Sequence, residues 1–221
     1  ERLDEDTALH RAKAFLQLQN QRRSLRFYSP DPYPIELLMT CIATAGTAPS
    51  GAHQQPWHFS IVKNMKLKRQ IREIVEKEEQ LNYDKRMKKT WVQDLDPIFK
   101  ESALHKDGNM TFFIQSNFSA VFDCLRLSGE KSTHYYVKEG VGIAVGLFVA
   151  ALTNVGLFSL TSTPLNAGSS ICGLLNRPSN EKVFVLMPVG FPAGDATVPF
   201  RHDSGSSAIR KDLKDICKIY D

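Results

Sequence analysis

The sequence of 221 residues lacks most of the short motifs by which catalytic sites are recognised. It has no GxSxG nucleophile turn, no HExxH zinc motif, no GxxxxGK[ST] phosphate loop and no GxGxxG dinucleotide motif. These absences argue against the common hydrolase, metalloprotease, P-loop and dinucleotide-binding classes. Any active site must therefore be assembled from less conspicuous loops.

Cysteine is also scarce, and the spacing of the cysteines does not match that of a metal-binding motif. The four cysteines lie far apart, without a CxxC pair or a histidine at zinc-finger spacing: Cys41, Cys124, Cys172 and Cys217. We expect no metal site. Because the cysteines lie within apolar stretches, we expect buried free thiols in a reducing compartment.

Neither basic nor acidic residues are concentrated in one part of the chain. Lys and Arg number 28 against 24 Asp and Glu, and the signs alternate along the chain. Without a basic block that could follow a phosphate backbone, nucleic acid is not expected as a partner. The 42% hydrophobic share is enough to bury the core of one folded domain.

One long apolar run, from Val141 to Leu160, approaches the length of a membrane span. The run is interrupted by the polar pair Thr153 and Asn154 and by Gly156, which leaves about twelve residues of helix. We therefore predict a buried core helix over residues 141–152.

Hydrophobic periodicity predicts the remaining elements. Helices are expected over residues 6–20, 34–46, 66–87 and 213–219, and strands over 57–64, 156–163 and 183–189, the last buried on both faces. Residues 91–132 show no sustained period, and no strand is recognisable over 110–123. The pattern indicates an α+β or α/β protein.

Three segments have the chemistry to hold an anionic cofactor. They are the basic stretch Arg22-Arg23-Ser24-Leu25-Arg26, the loop Pro49-Ser50-Gly51 and the hydroxyl run Thr161-Ser162-Thr163. Guanidinium groups bind phosphate in a bidentate fork, and serine adds a further donor. Taken singly, each segment is equally typical of a solvated surface, a turn or a strand.

Taken in order, these segments resemble one family. Residues 22–27 and 44–53, followed by Pro56-Trp57, resemble the flavin-binding opening of the nitroreductase superfamily. Residues 44–53, 82–87 and Trp91 resemble its iodotyrosine deiodinase branch in particular. Further similar motifs are His134-Tyr135-Tyr136, residues 161–166, 175–178 and 188–192. The resemblance covers residues 20–95 and 133–199 of a single catalytic domain, 1–221, with 96–132 divergent and 200–221 a C-terminal extension.

The resemblance implies an α+β fold with a central, mostly antiparallel sheet flanked by helices. It places FMN at a homodimer interface to which the 141–152 helix contributes. The positions that match the family's flavin-binding residues are Arg22, Arg23, Ser24, Arg26, Pro49, Ser50, Gly51, Thr161, Ser162, Thr163 and Arg210. Arg201 is the alternative to Arg210, and the Thr163 hydroxyl is expected to donate to flavin N5 as the catalytic group.

A second implied set would bind the substrate. The backbone of Ala52 is expected to face a phenolate, while Glu79, Tyr83 and Lys100 close over its amino-acid end. The four-residue spacing of Glu79 and Tyr83 agrees independently, because a helix places both on one side. His53 and His58 are expected to be a loop and a strand residue without a catalytic role.

The implied activity is reductive dehalogenation of mono- and diiodotyrosine to tyrosine and iodide. The electrons would come ultimately from NADPH, through an external flavin reductase or another NADPH source, and an N-terminal segment before Glu1 would anchor the protein to a membrane. Two alternatives stay open: a nitroreductase or quinone reductase on the same fold, and a non-catalytic flavin-binding subunit. The Glu79 and Tyr83 pair favours the first activity, since nitroaromatic substrates have no zwitterion to bind.

Overall fold

The structure is a computed structural model that describes residues 2–90, 118–125, 135–196 and 210–220, the second of these ranges through its backbone. Its helices are α1 (Glu5–Asn20), α2 (Ile35–Ala45), α3 (Met65–Leu81), α4 (Val137–Asn154), α5 (Gly168–Leu174) and α6 (Leu213–Ile216). A 3-10 turn, Gly51–His53, precedes the first strand, and a π-helical turn, Asn82–Arg86, extends α3.

Local capping explains where two of these helices begin. The side chain of Asp4 accepts a hydrogen bond of 2.9 Å from the Thr7 amide at the start of α1. At the start of α3, Asn64 Oδ1 accepts from the amides of Lys66 (2.8 Å) and Leu67 (3.2 Å). These bonds satisfy first-turn N–H groups that have no partner within the helix.

The described strands form one sheet in the order β1-β2-β4-β3. They are β1 (Trp57–Val62), β2 (Phe118–Leu125), β3 (Phe158–Ser159) and β4 (Glu181–Gly190). All three pairings are antiparallel. The predicted α+β class with a mostly antiparallel sheet flanked by helices is confirmed.

The expectation that residues 110–123 contain no recognisable strand was wrong. β2 covers Phe118–Leu125 and pairs with β1 on one side and β4 on the other, with a register shift between Phe122 and Asp123. Its sequence, FSAVFDCL, does not alternate cleanly. Pairing with two distant strands, rather than local pattern, determines this element.

The strand predicted over 156–163 is shorter than expected. β3 consists of Phe158 and Ser159, after which an isolated bridge joins Ser162 to Leu186 of β4. The chain therefore leaves β4 after two residues and returns at Ser162, so residues 160–163 are held as a loop against the sheet.

β4 supplies side chains to both halves of the core, as its continuous apolar sequence predicted. Val185, Met187 and Val189 pack in a cluster with residues of α2 and α4, including Leu38 and Phe148. On the other side, a second cluster joins β4 to α3 and α5, with members Val62, Ile71, Val75, Ala167, Ile171, Val183 and Leu186. The sheet thus has a helical layer on each face.

Helix α4 has 18 residues, not the twelve expected. By length and composition it could cross a membrane, a property that core helices of folded domains share. Val141, Ala144 and Phe148 are fully buried in the first core cluster, so this helix packs as the predicted core element. Its additional turn begins after Tyr136, which adopts a left-handed backbone conformation (φ 52°).

The two terminal helices differ from expectation. α1 is amphipathic in sequence, yet the structure, which describes it completely, buries none of its residues, and Leu9, Phe15 and Leu16 are exposed. α6 ends at Ile216 rather than at residue 219. The described residues of this chain therefore leave an apolar stripe on α1 uncovered.

The cysteines follow the prediction in part. Cys41 and Cys172 are buried free thiols, whereas Cys217 is exposed, so the expectation of burial was wrong at that position. Cys217 follows α6, whose residues are all exposed, and its apolar neighbours pack against no core.

Candidate functional site

Three arginines converge on the C-terminal end of α1. Arg23 Nη1 donates to the carbonyl oxygens of Asn20 and Arg22, both at 2.8 Å. Arg210 donates to the same two carbonyls, at 3.3 Å and 3.0 Å, and to that of Gln19 at 3.5 Å. Carbonyls at a helix C-terminus lack partners within the helix and attract cations, which explains why these guanidinium groups gather there.

The charges of this cluster repel one another. Burial lowers the pKa of Arg210, and the neighbouring charges of Arg23 and Arg22 lower it further. Like charges brought together in this way are stabilised by an anion, and guanidinium groups favour phosphate. The structure brings Arg210 to Arg22 and Arg23, as the family match implied, whereas Arg201 lies outside the described residues.

Ser24 connects this cluster to the hydroxyl run. Its backbone forms a parallel bridge with Ser159, and the following amide, of Leu25, donates to the Ser159 carbonyl at 3.2 Å. A small cleft of about 20 Å³ results, with Arg22, Arg23 and Ser24 on one wall and Thr161 on another. Two of the three predicted cofactor-binding segments therefore meet.

Arg26 takes a different position from the other arginines of its segment. It is absent from the residues lining that cleft in the described part of the chain. Burial lowers its pKa, which the nearby Tyr28 partly offsets. The predicted phosphate role of Arg26 is not supported by direct contact with the cluster.

Residues 161–163 are fixed to β4 through their middle member. Ser162 donates to the Leu186 carbonyl at 3.0 Å and accepts from the Leu186 amide at 2.8 Å. The flanking side chains of Thr161 and Thr163 are exposed. Thr163 borders a cavity of about 980 Å³ that is also lined by Pro164, Leu165, Asn166, Phe184 and residues of α5.

The loop of residues 49–55 has an unusual backbone. Ala52, His53 and Gln55 all have positive φ (49°, 56° and 49°), a region that costs non-glycine residues of order 1–3 kcal/mol. The Ser50 hydroxyl stabilises the turn by accepting from the Gln55 amide at 2.8 Å. A Cβ on Gly51 would lie 3.0 Å from the Tyr135 carbonyl oxygen, so a larger residue would force the loop or the Tyr135 backbone to shift by a few tenths of an ångström. Such concentrated strain is typical of a binding loop.

This loop packs on the opposite end of α4 from the basic cluster. A Cβ on Gly140, in the first turn of α4, would lie 3.8 Å from Ser50 Cβ and 3.9 Å from the Pro49 carbonyl oxygen. The cleft beside the arginines is lined by Thr153, 13 positions further along the same helix. At about 1.5 Å per residue, the two regions are separated by about 20 Å.

Glu79 and Tyr83 lie close together at the end of α3. Burial raises the pKa of the Glu79 carboxyl, and a hydrogen bond with Asn82 acts in the opposite direction. Burial also raises the pKa of the Tyr83 phenol, with the charge of Glu79 as the second cause. The influence of the Glu79 charge on Tyr83 agrees with the proximity that their spacing predicts. Lys100, the third proposed member of the clamp, lies outside the described residues.

Asn82 is a residue for which the sequence suggested no role. Its side chain is 2% exposed and links α3 to the loop after Thr163. Nδ2 donates to the Leu165 carbonyl at 3.4 Å, and Oδ1 accepts from Asn166 Nδ2 at 2.8 Å. The end of α3, next to Glu79 and Tyr83, is thus joined to the loop that follows the hydroxyl run.

The two histidines have local partners. A ring nitrogen of His53 lies 3.3 Å from Gln55 Nε2, and His58 Nδ1 lies 3.4 Å from the Ser60 hydroxyl. Burial lowers the pKa of His58, and the charge of Arg177 adds to this effect. Among the described residues, no three His, Cys, Asp or Glu side chains are grouped as a metal site.

The comparisons with known proteins agree on one family. The family model described as the nitroreductase family matches residues 20–191. The iodotyrosine deiodinase of Danio rerio is 46% identical over 208 residues, which is 94% of this chain and 68% of that protein. Iodotyrosine deiodinase 1 of Mus musculus is 47% identical over 193 residues, covering 86% of this chain and 66% of that protein. The chain thus spans about two thirds of the length of these relatives.

Solved structures share the fold. A crystal structure of oxidized iodotyrosine deiodinase bound to FMN and 3-iodo-L-tyrosine aligns with a TM-score of 0.72 and 27% identity, covering 90% of this chain and 98% of that one. An FMN-dependent nitroreductase from Mycobacterium smegmatis, in complex with NADPH, aligns with a TM-score of 0.72 but 19% identity, covering 95% of this chain and 99% of that one. The second likeness bears on the fold alone.

Proposed function

Because the chain belongs to the nitroreductase family and, within it, to the iodotyrosine deiodinases, we propose that it is an FMN-dependent enzyme that reductively removes halogen from halotyrosines. The observation that carries this proposal is the Glu79 and Tyr83 pair, held by Asn82 against the loop that follows Thr163. A carboxylate at this place suits a substrate with an ammonium group.

The basic cluster fits the phosphate of FMN. Arg22, Arg23 and Arg210 lie together with mutually repelling charges, and Ser24 and Thr161 border the same cleft with hydroxyl groups. A dianionic phosphate monoester would relieve that repulsion and accept charge-assisted hydrogen bonds. We assign phosphate binding to these side chains.

Thr163 is the candidate for contact with the flavin ring. The double bridge between Ser162 and Leu186 fixes the backbone on one side, and the Leu165 amide donates to the Thr163 carbonyl at 2.8 Å on the other. With its main chain held on both sides, Thr163 keeps a fixed position at the border of the cavity. Its hydroxyl suits a hydrogen bond to the flavin, and we assign Thr163 that role.

The separation along α4 favours a site built from two chains. In one chain the strained loop with Pro49, Ser50, Gly51 and Ala52 lies about 20 Å along the helix axis from the arginine cleft. We propose that a second copy brings its own loop to the first copy's arginines, so that both regions contact one flavin and the substrate stacked on it. The separation along α4 supports this proposed homodimer.

Exposed apolar side chains support such an interface. Ile143 on α4 and Leu9, Phe15 and Leu16 on α1 are exposed in the single chain. No heavy atom of the described residues lies within 4 Å of a Cβ added at Gly142 or Gly146, so a partner backbone can approach α4 closely there. We place the dimer seam along these faces of α1 and α4.

The chain's own residues would bind and orient the substrate. The Glu79 carboxylate pairs with the ammonium group, Tyr83 shields that pair from water, and the backbone at Ala52 of the partner loop faces the phenolate. Excluding water strengthens each of these interactions. When bound, FMN supplies the two electrons that, together with one proton, convert the carbon–halogen bond to carbon–hydrogen and release halide.

A side-by-side turnover assay tests this assignment. FMN-loaded wild-type protein and a Glu79→Gln variant are compared on 3-iodotyrosine and on a nitroaromatic of similar size. The variant should lose turnover of 3-iodotyrosine selectively, because the nitroaromatic has no ammonium group. Equal losses on both substrates, or faster wild-type turnover of the nitroaromatic, would favour a general nitroreductase instead.

The proposal also includes the source of the electrons and the attachment of the protein to a membrane. The electrons come from NADPH through an external flavin reductase, as in the activity that the family resemblance implies. The relatives have additional length, which is compatible with the implied N-terminal membrane anchor. Stopped-flow mixing of the FMN-loaded chain with NADPH alone tests the first point: rapid reduction would show that no external reductase is needed.

A further inference from the structure

The amide of Asn82 lies where the substrate-binding helix meets the flavin-side loop. The two hydrogen bonds that join them link residues 83 and 84 positions apart in sequence, Asn82 with Leu165 and with Asn166. The side chain is 2% exposed, so water does not compete freely for these bonds. This contact is therefore a tertiary junction between two parts of the site.

Most of the hydrogen-bonding capacity of this amide is used. An asparagine side chain can donate two hydrogen bonds and accept two. Asn82 donates to the Leu165 carbonyl and accepts from Asn166 at 2.8 Å and from Arg86 Nη1 at 3.2 Å. Asn82 also opposes the rise that burial causes in the pKa of the Glu79 carboxyl. Removing its amide would deprive the first three groups of a partner.

Both neighbours of the junction have non-standard backbone geometry. Asn82 opens the π-helical turn that contains Tyr83, and its carbonyl accepts from the Met87 amide at 2.8 Å to close that turn. Asn166 has a left-handed backbone (φ 63°), three positions after Thr163. π-turns and left-handed non-glycine residues persist where surrounding contacts hold them in place.

We infer that Asn82 is a positioning residue that couples the Glu79 and Tyr83 clamp to the flavin-side loop ending at Asn166, so that each fixes the geometry of the other. The inference rests on the proposed function for the identity of the substrate. Asn82 acts through Glu79 and Tyr83, and its effect is expected in substrate affinity before flavin affinity.

The most direct test changes Asn166 in the loop and measures the effect on the Glu79 and Tyr83 clamp. Asn166→Gly removes the amide but tolerates the left-handed backbone, since glycine adopts that conformation without strain. Asn176→Gly is the matched control, because Asn176 is also left-handed (φ 52°) and is exposed after α5. Both variants are measured as FMN-loaded protein, by flavin fluorescence quenching with 3-iodotyrosine and by hydrogen exchange without it.

Asn166→Gly should weaken 3-iodotyrosine binding about fivefold, the effect of one hydrogen bond, while Asn176→Gly stays within about twofold. Asn82→Ala should weaken it about tenfold or more, with FMN affinity changed less than about threefold. The double variant of Asn82 and Asn166 should bind no worse than Asn82→Ala, because that bond is already lost. Exchange of amides over 79–87 should quicken in Asn166→Gly but not in Asn176→Gly.

Equal effects of the two glycine variants, or additive losses in the double variant, would overturn the coupling. A loss of FMN affinity in Asn82→Ala as large as the loss of 3-iodotyrosine affinity would overturn it as well, since that is the result of a general structural defect. If the wild-type chain binds FMN but no 3-iodotyrosine, the proposed function fails, and the exchange comparison alone decides whether the junction couples helix and loop.

Discussion

Arg210→Ala tests whether the C-terminal segment completes the phosphate site. Arg210 joins Arg22 and Arg23 through the carbonyls at the end of α1, although it is 188 positions from Arg22. Hydrogen bonds to charged groups contribute about 1.5–3 kcal/mol, so its removal should weaken FMN binding by about 10- to 150-fold. The charge repulsion within the cluster falls in the variant, so the loss should appear in ligand affinity rather than in folding.

The assay is titration of the FMN-free protein with FMN, followed by quenching of flavin fluorescence at two salt concentrations. Lys214→Ala is a matched control, because Lys214 is 78% exposed on the same segment and pairs with Asp212 at 3.7 Å. The control should bind like wild type. If Arg210→Ala also binds like wild type while Arg201→Ala loses tenfold, the placement of Arg210 in the phosphate site is wrong.

Three further changes test other parts of the account. Thr163→Ala should keep FMN affinity within about threefold but lower dehalogenation about tenfold or more, and equal turnover of 3-iodotyrosine would refute its role. Burial raises the pKa of Glu79, so the affinity for 3-iodotyrosine should fall as the pH drops through that raised pKa and the carboxylate is protonated. Glu79→Gln should bind 3-iodotyrosine weakly and without this pH dependence. Fluorescence quenching measures both affinities. Lys68 is 1% exposed, and burial lowers its pKa from 10.5 to about 8. Between pH 8 and 10.5 the unfolded chain therefore binds more protons at Lys68 than the folded chain does. The free energy of unfolding should rise with pH over this range, by no more than about 3 kcal/mol. Lys68→Met should reduce that rise, as measured by urea denaturation at several pH values.

Sequence patterns predicted the elements that depend on local periodicity. The stripe Ile71 and Val75 placed α3, and the apolar run of β4 indicated burial on both faces. The four-residue spacing of Glu79 and Tyr83 likewise predicted a shared face, and the charge of Glu79 adds to the rise in the pKa of Tyr83. Each of these properties is set within one element.

Features that depend on contacts between distant parts of the chain were harder to predict from the sequence. The central strand, Phe118–Leu125, depends on pairing with β1 and β4, and no local period marks it. The junction at Asn82 joins groups more than eighty positions apart in the sequence. An asparagine at the end of a charged helix forms no sequence pattern from which such a contact could be predicted. The approach of Gly51 to Tyr135 is equally non-local.

The central claim is that this chain uses FMN to remove halogen from a halotyrosine. The most direct measurement is anaerobic mixing of the FMN-loaded, dithionite-reduced protein with 3-iodotyrosine, followed by flavin absorbance and by product analysis. The account predicts that the flavin is oxidised with release of one iodide and one tyrosine per flavin. Flavin that stays reduced with 3-iodotyrosine, yet is oxidised at once by a nitroaromatic or a quinone, would contradict it.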